Sequence, residues 1–83
     1  MIVLAKNEME EFLVSEIRKI KPRVPKEFPI TANFQMDLDL DSLDLIEWVA
    51  VIEQKYHFEI PNDDLKKFIS IQDTITYLTE HLG

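Results

Sequence analysis

Four stretches in which apolar residues recur every three or four positions confine this chain to an all-α fold. In "NEMEEFLVSEIRKI" the recurrence is Met9, Phe12, Leu13, Ile17 and Ile20, one face of a helix with a 3.6-residue period. Asn7 is read as its N-cap, with Glu8, Glu10 and Glu11 in the first turn and Arg18, Lys19 and Lys21 at the far end. Each sign stands where the helix dipole favours it. Pro22, Pro25 and Pro29 then exclude a regular helix interior, since proline lacks the N–H and clashes with the preceding turn. The stretch "PRVPKEFPITANFQM" is therefore expected to be a long loop, pinned by Phe28, Ile30 and Phe34. A second helix is predicted over Ser42 to Tyr56. A short third, "NDDLKKFI", has Asn62 as its cap and Leu65, Phe68 and Ile69 as its buried side. The fourth starts at a Ser70-x-x-Asp73 capping box and carries Ile71, Ile75, Leu78 and Leu82 on one stripe. The expected architecture is one domain over residues 1–83, a small four-helix bundle with a long first loop and a short third helix.

Composition removes most chemistries. With no cysteine and its only glycine at position 83, the chain holds no thiolate metal site, phosphate-binding glycine loop, dinucleotide fingerprint or nucleophile elbow. The two histidines, His57 and His81, fall at expected helix ends among polar neighbours and read as solvated. A hydrolase built on Ser42 and His57 would need a third, orienting group that no spacing supplies, so the chain is not expected to be an enzyme. The net charge of −7 disfavours nucleic acid and anionic membrane and favours basic protein surfaces. "MIVLA" at the start is too short for a signal sequence. The chain is read as soluble, cytoplasmic and monomeric.

The stretch "MDLDLDSLDLIEW", Met36 to Trp48, admits three readings. As a calcium loop it offers Asp37, Asp39 and Asp41. However, Ser42 stands where the turn needs glycine and Trp48 where the site needs a bidentate glutamate. No metal is expected. As a strand it alternates for only five residues with aspartate at every polar position, which is poor strand material. As a helix start it is well formed. Asp41 is a strong N-cap residue and Asp44, three positions on, completes an acidic capping box. Ser42 then occupies the first helical position, where free N–H groups and the dipole favour a phosphate.

On a wheel of about 100° per residue, Leu45, Trp48, Val49, Ile52 and Tyr56 share the core side of this helix. Leu43, Ile46 and Ala50 share the other, interleaved with Glu47 and Gln54. Such a second stripe is either buried centrally, which is hard to arrange in so small a bundle, or kept for a partner. From Asp37 to Asp64 the run of acids, Glu53 included, faces Lys55 alone. Around an exposed apolar stripe it reads as a docking surface for basic enzymes.

These residues carry a resemblance. "DLDLDSLDLIEWVAVIEQKYHFEIP" resembles the serine-bearing second helix of acyl carrier proteins, and the likeness runs through "EIP" (Glu59, Ile60, Pro61) to the final amphipathic helix. It implies that Ser42 takes 4'-phosphopantetheine from coenzyme A, with Asp41, Leu43 and Asp44 completing the motif. The arm's thiol would hold acyl thioesters and shuttle them between enzymes of fatty acid or specialised (polyketide or aryl polyene) biosynthesis. The implied partners are the phosphopantetheinyl transferase and acyl-transferring and ketosynthase-type enzymes. They would dock on Leu43, Asp44, Ile46, Glu47, Ala50, Glu53 and Gln54. Trp48, Ile52, Ile60 and Phe68 are candidates to line a chain tucked between helices. Departures from the family pattern are Asp39 where a small residue, usually glycine, is common, Trp48 in place of leucine, Ala50 in place of methionine, and Gln54 and Lys55 in place of acids. Two alternatives stand beside it, a D-alanyl or peptidyl carrier and an unmodified interaction module.

Overall fold

The computed structural model describes residues 6–82, so the apolar opening read as too short for a signal sequence lies outside the described residues. Three α-helices, α1 (Lys6–Ile20), α2 (Ser42–Tyr56) and α3 (Ile71–Leu82), are joined by irregular segments and by one 3-10 helix, Asn62–Lys67. No strand occurs among the described residues. The all-α, four-helix reading holds, with two local corrections. Asn7 lies inside α1 rather than capping it. The short third helix is 3-10, its cap position is Pro61 rather than Asn62, and Ile69 beyond it is exposed.

α1 packs against both α2 and α3. Met9, Leu13 and Ile17 of α1, Trp48, Val49 and Ile52 of α2, and Ile71, Ile75 and Leu78 of α3 form the centre of the core. These sets are the stripes that the three- and four-residue spacing laid out, each apolar face removed from water.

The long first loop contributes more than the pinning residues read from sequence. Phe34 is buried as expected, but so are Val24, Ala32, Leu38 and Leu40. The backbone of the loop is tied to the start of α3: Phe34 N–H donates to the Ile69 carbonyl at 2.8 Å, and Gln72 N–H donates to the Ile30 carbonyl at 2.9 Å. Asn33 closes a turn by accepting from the N–H groups of Gln35 (2.9 Å) and Met36 (2.8 Å), while the Asp37 carboxylate accepts from Asn33 N–H at 2.8 Å. The alternation from Asp37 to Asp41 is thus a loop that buries Leu38 and Leu40 and leaves its aspartates outside. Local backbone bonds in this segment replace a strand ladder.

That arrangement requires a left-handed backbone at Asp39, φ 58°. A Cβ there crowds the following carbonyl, although aspartate tolerates the region better than most residues. Replacing Asp39 with glycine is expected to raise stability by about 0.5 kcal/mol, the relieved strain being partly offset by a freer unfolded chain. Urea denaturation reads this directly, and a loss of stability would show that the aspartate side chain earns its position by a contact of its own.

Candidate functional site

The start of α2 is built by reciprocal capping. Asp41 is extended (φ −103°, ψ 179°). Its carboxylate accepts from Asp44 N–H at 2.9 Å, while the Asp44 carboxylate accepts from Asp41 N–H at 3.1 Å. Two orphan donors of the helix terminus are satisfied in this way. Ser42, the first residue of the helix, is left exposed beside them.

Lys21, read from sequence only as one of the cations at the far end of the first helix, is built into this corner. From just beyond the end of α1 its ammonium donates to the Asp39 carbonyl and approaches the Asp44 carboxylate at 3.4 Å. The Asp41 N–H holds the Asp44 carboxyl below the usual carboxylate range; burial opposes it and Lys21 adds to it. The serine therefore sits in a field in which the charge of Asp44 is partly balanced.

The second apolar stripe of α2 is open to solvent. Leu43 is 71% exposed and Ile46 53%, and Ala50, Glu47 and Gln54 are exposed with them. Met36, on the preceding loop, is 84% exposed. Glu53 differs from the other docking candidates, because it is half-buried and accepts the Ile60 N–H at 2.7 Å, fixing the chain after α2. Asp64 is likewise engaged, with Tyr77 and Lys67. The acidic run is thus not one uniform surface.

Beside Ser42 lies a cleft of about 270 Å³, lined by the serine together with Leu45, Ile46, Val49, Leu65 and Phe68. A second hollow of about 250 Å³, reaching Phe34 and Ile69, shares Leu45, Leu65 and Phe68 with it. Of the four residues read as chain-lining candidates, Phe68 borders this cleft. Trp48 and Ile52 are sealed in the core, the Trp48 indole N–H donating to the Leu13 carbonyl at 3.0 Å. Ile60 borders a separate hollow at the far end of α2, with Glu53 and His57. Leu45, Val49 and Leu65 went unnoticed as lining because a core stripe looks the same in sequence whether or not a gap opens along it.

Neither histidine serves the hydroxyl. His57 caps the C-terminal end of α2 in a left-handed conformation, about 22 Å along the axis from Ser42 at 1.5 Å per residue. His81 is not simply solvated. Its ring stacks on Tyr77 at 4.0 Å, and its Nδ1 lies 2.8 Å from the Tyr77 carbonyl.

Residues 11–78 match the family model described as the phosphopantetheine attachment site. The chain is 33% identical over 72 residues to "Acyl carrier protein" of Lactobacillus acidophilus, covering 78% of this chain and 90% of that one. It is 35% identical over 78 residues to "Acyl carrier protein 2, mitochondrial" of Arabidopsis thaliana, covering 94% of this chain and 62% of that one. To "Putative acyl carrier protein, mitochondrial" of Schizosaccharomyces pombe it is 39% identical over 69 residues, covering 83% of this chain and 60% of that one. It thus spans less than two thirds of the plant and yeast proteins and most of the bacterial one.

Proposed function

This chain belongs to the acyl carrier protein family, and from that premise we propose that Ser42 bears the 4'-phosphopantetheine arm and that the whole chain, as one domain, ferries acyl groups between enzymes. Proteins of this family carry substrates rather than transform them. The observation that supports Ser42 is its placement, an exposed hydroxyl at the first position of a 15-residue helix whose cap is supplied by its neighbours. The residues fit the group. A phosphodiester on Ser42 Oγ meets the positive end of the helix dipole, and Lys21 offsets the charge of Asp44. When bound, the arm supplies the thiol that this cysteine-free chain lacks.

The chain's own residues then do three things. Asp41 and Asp44 hold the helix start rigid, so that the hydroxyl is offered in one geometry. The cleft along Leu45, Val49, Leu65 and Phe68 gives an acyl chain an apolar surface. Leu43, Ile46 and Ala50 form the exposed stripe on which the transferase and the acyl-transferring and ketosynthase-type enzymes dock, with Glu47 and Gln54 at its edge. The charge of −7 steers basic partners to it. We place the carrier in the cytoplasm, in fatty acid synthesis or a specialised polyketide or aryl polyene pathway. No helix among the described residues is long and apolar enough to cross a membrane.

The test is intact mass after incubation with coenzyme A, magnesium and a broad-specificity phosphopantetheinyl transferase. A gain of one phosphopantetheine is expected. No gain from a folded protein would leave an unmodified docking module as the better reading.

Docking has its own test. Glu47 is exposed and makes no hydrogen bond or ion pair among the described residues, so Glu47→Lys should fold normally. Association with the transferase is expected to slow roughly fivefold at low salt, since an edge charge acts mainly on encounter, and the difference should shrink as salt screens it. Equal association rates at every salt concentration would remove Glu47 from the interface.

A further inference from the structure

We propose that the hydrogen bond between Tyr77 and Asp64 sets the length of acyl chain this domain shelters, because it pins the wall of the cleft that faces α2. This rests on the carrier reading above and adds to it a specificity-determining pair outside the serine motif.

The wall in question is the 3-10 helix Asn62–Lys67 and the residue after it. Leu65 and Phe68 line the cleft beside Ser42, yet the 3-10 helix buries none of its residues and has no side-chain cap at its start. Hydrogen bonds of a 3-10 helix are poorer than those of an α-helix. Segments with few buried contacts open first. Left to its local interactions, this wall would be the softest part of the site.

What holds it comes from α3. The Tyr77 hydroxyl donates to Asp64 Oδ2 at 2.6 Å, a short charge-assisted bond of the stronger kind. Tyr77 is itself 5% exposed, so the anchor is fixed in the core. Its ring meets Phe68 edge-on at 5.0 Å and stacks on His81 at 4.0 Å. Lys67, from the same short helix, reaches Asp64 Oδ1 at 3.3 Å. Burial and the Asp64 carboxylate push the Tyr77 hydroxyl up to about 12, so it remains a donor at neutral pH. One tyrosine thereby supports Phe68 through its ring and the 3-10 helix through its hydroxyl.

The pinned cleft holds about 270 Å³. An apolar cavity of ~150 Å³ takes one benzene ring, so the pinned form suits a medium chain. Releasing Asp64 while keeping the tyrosine ring lets Leu65 swing away from α2 without disturbing the core, and longer chains then fit.

Tyr77→Phe removes the hydroxyl and keeps the ring contacts. Asp64→Ala, which deletes the acceptor from the other side of the bond, is the second variant should the first fold poorly. In the unloaded proteins, amide hydrogen exchange over residues 62–69 is expected to quicken by about tenfold in each variant, as for the loss of one hydrogen bond to a charged group. Exchange in α1 should be unchanged. The arm is then loaded with octanoyl or hexadecanoyl cargo, and the gain in melting temperature over the bare arm is read. The parent should gain more from octanoyl, and the variants should gain equally or more from hexadecanoyl. Unchanged exchange over 62–69 would overturn the pin. Faster exchange with the parent's order of gains retained would overturn its role in chain length. A parent whose mass shows no arm would overturn the carrier reading and the cargo claim together, and exchange in the unloaded protein distinguishes that failure from a failure of the pin.

Discussion

Ser42→Ala is expected to abolish uptake of phosphopantetheine completely and to leave the fold untouched. The first half follows from chemistry, because the substitution deletes the one oxygen to which the arm would be esterified. The second half follows from geometry. Ser42 is exposed and takes no part in the cap, which is made by Asp41 and Asp44. Alanine is also the better helix former, so the change in stability should stay within about 0.5 kcal/mol. Intact mass reads the first half and a thermal melt followed by circular dichroism reads the second. The informative contrast lies one residue earlier. Asp41→Ala leaves the hydroxyl in place but removes the acceptor for Asp44 N–H, and should cost about 1 kcal/mol. A Ser42→Ala protein that melts like Asp41→Ala would mean that the serine belongs to the cap. A variant that still gains the arm's mass would place attachment on another hydroxyl.

The start of α2 was legible because capping is local chemistry. Asp41 and Asp44 are three residues apart, and the sequence alone determines what they can reach. The same holds for the apolar stripes of α1, α2 and α3, whose period is a property of the helix. Lys21 and Asp39 show where legibility ends. The two are 18 residues apart and meet only because the loop doubles back over the end of α1, so the sequence could describe Lys21 only as a cation at the end of a helix. Leu38 and Leu40 were weighed as half of a strand pattern that fails, and their burial was missed because an irregular loop imposes no period on its inward residues. The 3-10 helix is a similar case. Its apolar residues are correctly spaced for a turn of helix, but nothing in the sequence states that Tyr77, 13 residues on, is what holds it. Glu53 was read as a docking acid for want of any signal that it accepts the Ile60 N–H. The capped start of α2 was therefore readable, whereas the pairing of distant segments around the cleft was not.

Trp48→Ala should cost about 3–5 kcal/mol, the range for deleting a buried aromatic ring. For a domain of 83 residues, whose total stability falls toward the low end of about 5–15 kcal/mol, that is close to unfolding. Burial and two specific contacts are lost together. The side chain is 1% exposed, its ring stands edge-on to Phe34 at 5.0 Å, and its indole N–H donates to the Leu13 carbonyl at 3.0 Å. The indole thus joins α2, α1 and the first loop. Trp48→Phe separates the contributions. It retains much of the aromatic volume and loses the hydrogen bond, and should cost about 1–3 kcal/mol. Urea denaturation with linear extrapolation gives both values. A cost below about 1 kcal/mol for Trp48→Ala would show that the first loop can close over the gap and that its packing is looser than the contacts imply. The consequence for loading is indirect. Trp48 does not line the cleft, but Val49 beside it does, and the register of both is set by how α2 seats on α1. Transfer of the arm to Trp48→Ala should therefore fall in proportion to the folded fraction, and recover when cooling or a stabilising osmolyte restores the fold.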